Sequence, residues 1–166
     1  MDDKLSKHIL GSYKELFKNI KSTADKALEQ LQEKDCYLQL DPESNSIAVI
    51  IQHMSGSILS RWTDFLTTDG EKKDRNRDSE FIDDNKSTEE LRNLWDRAWT
   101  RLFETLNSLN EEDLFKTILI RAEPLSVVQA LNRQLYHISF HTGQIVYIAK
   151  YIKSTGWKTL SVPKKR

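Results

Sequence analysis

The chain is poor in residues that break or cross-link a backbone. Five glycines, three prolines and one cysteine among 166 residues leave few obligatory turns and no internal disulfide. So few breaks favour long helices over a many-stranded fold. The lone Cys36 lies in a polar stretch without a CxxC partner, so the reducing cytoplasm is the expected compartment. The opening MDDKLSKHIL lacks the apolar stretch of a secretory signal, and nowhere is there a run of about 18 apolar residues to span a membrane. Net charge is missing too: 25 Lys and Arg balance 25 Asp and Glu. A nucleic-acid binder usually carries a basic excess or stripe. The closing Lys164-Lys165-Arg166 is short and reads as a solvated terminus. Neither nucleic acid nor membrane is therefore an expected partner.

With 38% hydrophobic and 30% charged residues, the composition is that of a globular chain. Its length fits one domain, residues 1–166, with enough core to fold without a structural metal. Apolar residues fall at helical spacing from Leu5 to Leu31, through Ile9, Tyr13, Leu16, Ile20, Ala24 and Ala27. A polar stretch with Pro42 follows, and Ser44, Asn45 or Ser46 can cap a second helix from about Ile47 to Leu66. Its apolar face is Ile47, Ile51, Met54, Ile58 and Phe65. The connection from Thr67 to Ser87 holds twelve charged residues, and such length is uncommon inside a compact domain. It reads as a functional surface loop or a mobile one.

Ser87-Thr88-Glu89-Glu90 is a capping box that opens a third helix, with Leu91, Trp95, Ala98, Leu102, Leu106 and Leu109 on one face. The β-branched segment from Thr117 to Arg121 predicts a brief extended piece before Glu123-Pro124. A second capping box, Ser126 to Gln129, opens a fourth helix reaching about Ser154, with a seam of Leu131, Leu135, Ile138, Thr142, Ile145, Ala149 and Ile152. Four such helices predict an all-α four-helix bundle with long connections after the second and third helices. Loop lengths do not fix its topology.

Two of the four histidines, His137 and His141, stand one turn apart on the fourth helix, where two imidazoles can grip one ion. At 100° per residue they lie roughly 100° and 60° from Ile138, at the margin of the core. A bundle site also needs a ligand from a facing helix. His53 qualifies: Gly56, Ser57 and Ser60 beside it leave room for a metal and a ligand. Three neutral imidazoles with open positions describe a site for zinc, nickel or a similar divalent ion. An ordinary amphipathic pair is the alternative for His137 and His141. His8, in a polar context, reads as a surface residue.

HISFHTGQIVYIAKYI, residues 137–152, resembles the last-helix signature of the DinB/YfiT-like superfamily, His-x-x-x-His followed by Gly-Gln-Ile (here Gly143, Gln144 and Ile145). NSIAVIIQHMSGS, residues 45–57, is similar to that superfamily's second helix, which supplies the first histidine. SRWTDFLTTDGEK (60–72), RNRDSEF (75–81), EPLSVVQALNRQ (123–134) and GWKTLSVPK (156–164) resemble a bacterial DinB-like subfamily of unknown function. One departure is Ala122, where that subfamily tends to have glycine. The resemblance implies a four-helix bundle whose three histidines hold a divalent metal, and a homodimer. In some relatives it implies transfer of a low-molecular-weight thiol such as bacillithiol or mycothiol.

The expected function is accordingly a metal-dependent enzyme, a thiol S-transferase or, as a neighbouring option, a hydrolase. The rival is a non-catalytic bundle that binds metal or a protein partner. Gln144 and Arg61 are the catalytic candidates: Gln144 to bond a ligand or orient a histidine, Arg61 to meet a substrate carboxylate. Arg75 and Arg77 either recognise an anionic small molecule at the site mouth or are solvated loop charge. Phe81 and Ile82 are the expected anchors of the charged loop. Trp62, Trp95, Trp99 and Trp157 read as core or interface aromatics.

Overall fold

The computed structural model describes residues 3–162, so the basic run Lys164-Lys165-Arg166 lies outside the described residues. Four α-helices carry the architecture: α1 Asp3–Leu28, α2 Ile47–Trp62, α3 Thr88–Ser108 and α4 Val127–Lys153. Their starts follow the sequence. Ser46 caps α2 by accepting from the Val49 amide. The Ser87–Glu90 and Ser126–Gln129 capping boxes both form, each satisfying two orphan donors of a first turn. The expected faces of α3 and α4 point inward, and Trp62, Trp95 and Trp99 are buried while Trp157 packs against the core.

The face of α1 differs from the expected one. Leu10, Phe17 and Ala24, seven residues apart, form the buried line together with Ala27, whereas Leu16 is exposed. Ile9, Tyr13 and Ile20 flank that line, partly buried. A seven-residue repeat, rather than the densest set of apolar residues, chose the face.

Cross-links between helices fix their directions. Tyr13 Oη donates to Asn132 Oδ1 near the starts of α1 and α4. Just past their ends, Gln30 Nε2 donates to the Lys158 carbonyl and the Lys158 amide to Gln30 Oε1. These two helices therefore run parallel. So do α2 and α3: Thr105 Oγ1 donates to the Trp62 carbonyl at their ends, while Ala48 and Leu91 at their starts line one crevice. Arg61 at the end of α2 meets Gln134 near the start of α4, so this pair is antiparallel. The order is up, down, down, up. Because α2 and α3 point the same way, the chain between them must travel back along α2, roughly 24 Å at 1.5 Å per residue. That return is the charged connection, residues 63–87, and it passes over the middle of the bundle.

The expected extended piece is β1, Thr117–Ile120, and it has a partner that sequence reasoning missed, β2, Glu123–Ser126. The antiparallel pair turns at Arg121 and Ala122, with φ of 57° and 60°, the left-handed pair that a tight two-residue hairpin requires. Asp69 accepts from both turn amides at 2.8 and 2.7 Å, and the Gly70 amide donates to the Leu119 carbonyl. The first part of the crossover is thereby tied to the hairpin. No helix among the described residues is long and apolar enough to cross a membrane.

Candidate metal centre

All of α2 except Gly56 and Leu59 is buried, so His53 lies deep, 5% exposed. It meets His137 and His141 from α4. One ring nitrogen of each lies within 4.8 Å of the other two, and the Nε2 atoms of His53 and His137 are 3.0 Å apart. His53 Nδ1 stands 2.9 Å from Glu80 Oε2. An ionised carboxylate only accepts, so Nδ1 carries the proton and Nε2 presents its lone pair. His141 Nδ1 lies 2.7 Å from Gln144 Oε1 and donates to it, which frees its Nε2 likewise. Gln144 thus orients a candidate metal ligand, the second of the two roles expected of it. His8 is exposed and distant in role.

The electrostatics keep the ring nitrogens available. Burial pushes the proton affinity of His137 far down, to about 2, helped by His141, Arg61 and His53 nearby. Burial lowers that of His141 too, with His53 acting in the same direction and the Gln144 bond opposing. Glu80 behaves oppositely: burial alone would raise its pKa, but the bonds from Arg75 and His53 hold it below the usual carboxylate range. Three imidazole nitrogens with no carboxylate ligand among them fit a borderline divalent ion such as zinc or nickel better than magnesium or calcium, which demand oxygen. A histidine whose other nitrogen donates to a carboxylate is the usual outer-sphere support of such an ion.

That support comes from the crossover. Arg75 clasps Glu80 with a two-pronged contact, Nε to Oε1 and Nη2 to Oε2, both 2.8 Å. Its Nη1 reaches Glu71, which Arg121 also holds. Gln52 Nε2 donates to the carbonyls of Ser79 and Ile82, pinning the loop over α2. Phe81 lies against the His53 ring, centroids 4.3 Å apart, and the Arg77 guanidinium lies over the Phe81 ring.

Several expectations change here. Arg75 is neither solvated nor free for a substrate; it is 5% exposed and spent on Glu80 and Glu71. Arg77 remains a surface charge. Ile82 is 63% exposed and anchors nothing, so Phe81 is the anchor. The space at Gly56 is not left for a ligand: a Cβ there would lie 2.3 Å from Glu80 Oε1, so the glycine admits the loop carboxylate. Ser60 accepts from the Lys72 amide and donates to the Gly70 carbonyl, again for the loop. Arg61 is buried against Gln134. Glu80 and Gln134 are the residues the sequence did not single out. A glycine one turn after His53 in a buried helix, which costs about 1 kcal/mol against alanine, was the signal for Glu80.

Fold and site together define an all-helical bundle with a buried cluster of three histidines that can hold a metal ion. Residues 4–166 match a family described as proteins of unknown function (DUF1572), and the chain belongs to that family. No curated protein matches it.

Proposed function

We propose that this chain is a metal-dependent enzyme of DinB-like architecture, a single domain acting in the cytoplasm as a low-molecular-weight-thiol S-transferase. The observation that carries the reading is the set of three imidazoles, two with Nδ1 tied down so that Nε2 faces the cluster. His53, His137 and His141 would hold the ion. A divalent ion held there supplies Lewis acidity, which favours the anionic form of a thiol or of water. The protein's own part is to keep His137 and His141 neutral, to hold His53 on Glu80 and His141 on Gln144, and to shield the cluster with Phe81 and Phe140, the latter 5.3 Å from the His141 ring. The DinB likeness rests on the three histidines and the Gly143-Gln144-Ile145 run.

The test is metal content. Purified chain should bind about one zinc or nickel ion per protomer, and His137→Ala should lose most of it; an unchanged content in the variant sinks the site. Chelation should leave the helical signal in place, since the core stands without the ion. A metal-loaded screen of thiols with an electrophile then separates transferase from hydrolase and from a non-catalytic metal-binding bundle.

A homodimer is part of the same proposal. Tyr136, Phe140, Tyr147 and Tyr151 make one exposed stripe on α4, 55–74% exposed, and Gly143 in its midst has open space around it. The stripe is centred on residues 143 and 144, so a two-fold crossing of α4 on its copy there would set each end of the stripe against the other. At about 200 Å² per aromatic side chain the stripe offers roughly 500 Å² per protomer, near the lower bound for a specific interface once doubled. A dimer mass at micromolar concentration, lost in Phe140→Ser/Tyr147→Ser, is the expected result.

A further inference from the structure

Beside the histidines lies a charge that no carboxylate among the described residues contacts. Arg61, at the end of α2, is 9% exposed. Its Nη1 donates to Gln134 Oε1 at 3.2 Å, its Nε is buried without a partner, and no carboxylate among the described residues lies within ion-pair distance of it. The three arginines that face it are otherwise engaged: Arg75 with Glu80 and Glu71, Arg121 with Glu71, Arg133 with Glu123. A guanidinium removed from water with no anion in contact, and only Glu71 acting on it from longer range, is costly. Gln134, 1% exposed, adds a second orphan. Its Oε1 accepts from Arg61, so its Nε2 is a donor, and that donor is buried with no partner. Two unmatched donors, one cationic, thus belong to side chains that touch from facing helices. Arginine and an amide are the pair that a planar oxyanion satisfies. Gln134 stands one turn before His137, about 4.5 Å along the axis.

We propose that Arg61 and Gln134 form an oxyanion subsite of the histidine centre, which takes the carboxylate of a small thiol whose sulfur reaches His53, His137 and His141. The thiol half of this statement rests on the function proposed above; the carboxylate half rests on Arg61 and Gln134 alone. It gives Arg61 the substrate-binding role expected from sequence and withdraws it from Arg75. One molecule gripped at both ends is positioned for reaction, which a monodentate thiol is not.

The probes are 3-mercaptopropionate and its neutral counterpart 3-mercaptopropan-1-ol, titrated into cobalt-loaded protein and followed by the visible spectrum of the ion. Wild type should bind the carboxylate-bearing thiol at least tenfold more tightly. Arg61→Gln should bring the ratio close to one, and Arg61→Lys should keep part of it. Gln134→Glu guards against a folding artefact, because it supplies Arg61 with an internal carboxylate. It should raise the melting midpoint, retain the metal and lose the preference. Equal binding of both thiols by wild type overturns the subsite while leaving the thiol function standing. If neither thiol moves the spectrum, yet propionate raises the melting midpoint of wild type and not of Gln134→Glu, the subsite stands and the thiol function falls. Absence of any effect from all three probes overturns both.

Discussion

Two connections of similar character on paper behave differently in space. Residues 29–46 and 63–87 are both polar, both long, and both lack an apolar run. The first buries only Ser46, the cap of α2. It is held by a short 3-10 turn, Glu33–Tyr37, and by Asp41, which accepts from the Glu43 and Ser44 amides and the Ser44 hydroxyl. The second buries the Glu80 carboxylate and the Arg75 side chain, half-buries Glu71 and Phe81, and lays them over α2. Charge density therefore says nothing by itself about where a loop goes. The first connection closes polar groups such as Asp35 and Asp41 on residues two or three apart, and its long-range bonds, Gln30 with Lys158 and Tyr37 with the Lys86 carbonyl, touch no candidate ligand. The second satisfies its polar groups at a distance, and the distant partner is a candidate metal ligand.

The largest effect should come from cutting that long-range link. Glu80→Ala strips Arg75 of its two-pronged partner, leaving it Glu71 alone, and leaves His53 Nδ1 without an acceptor. Denaturant unfolding should show a loss of about 3–5 kcal/mol, the usual result of breaking a buried pair from one side, and metal affinity should fall about 10- to 100-fold. Asp41→Ala in the other connection should leave both the unfolding midpoint and metal content unchanged. Equal effects in the two would erase the distinction. Removal of the crossover should likewise lower metal content.

A subtler change tests the contact rather than the charge. Gly56→Ala places a methyl where Glu80 Oε1 now lies. Helix propensity favours alanine by about 1 kcal/mol, and overpacking typically costs about 1–3 kcal/mol, so stability should change little. The displaced carboxylate should instead appear as a loss of roughly tenfold in metal affinity by competition with a chromophoric chelator. Unaltered affinity would mean that Glu80 does not hold His53 in place.

Acid titration of the metal-free chain, read over the first pH unit or so below 6.5, sharpens the comparison from the histidine side. The folded state lowers the proton affinity of His137 and His141, burial being the chief cause. Above the ordinary value near 6.5 neither folded nor unfolded chain binds these protons. As pH falls below it, the unfolded chain takes them up and the folded chain does not, so stability declines, by up to about 1.4 kcal/mol per pH unit per fully shifted group. For His137 the decline continues toward its folded value of about 2. Glu80 adds to it below the ordinary carboxylate range. His137→Gln should flatten the slope between pH 6.5 and 5; an unaltered slope would place the acid sensitivity elsewhere.

Much of this was legible in the residues. Three capped helix starts, the inward faces of α3 and α4 and the histidine pair on α4 all follow from local spacing, which the backbone turns directly into position. The face of α1 was misjudged because apolar residues lie on more than one side of it, and only a neighbour's packing decides between them. Glu80 and Arg75 were illegible for another reason. A polar contact between residues far apart in sequence leaves no period, and a charged loop residue looks the same whether water or a histidine receives it. The second hairpin strand was hidden by Pro124, which lacks a ladder donor.

The shared direction of α2 and α3 also bears on the order of events as the chain folds. Neither helix can lie beside the other until 25 intervening residues have been laid back along the bundle, and Glu80 reaches His53 only when that strap is in place. His137 and His141, on one helix, are neighbours as soon as α4 coils. The two-histidine half of the centre is thus available early, and the third histidine with its carboxylate is delivered by the slow, non-local closure. An ion added during refolding should then report the last step of assembly, its full affinity appearing after the helical signal has already returned.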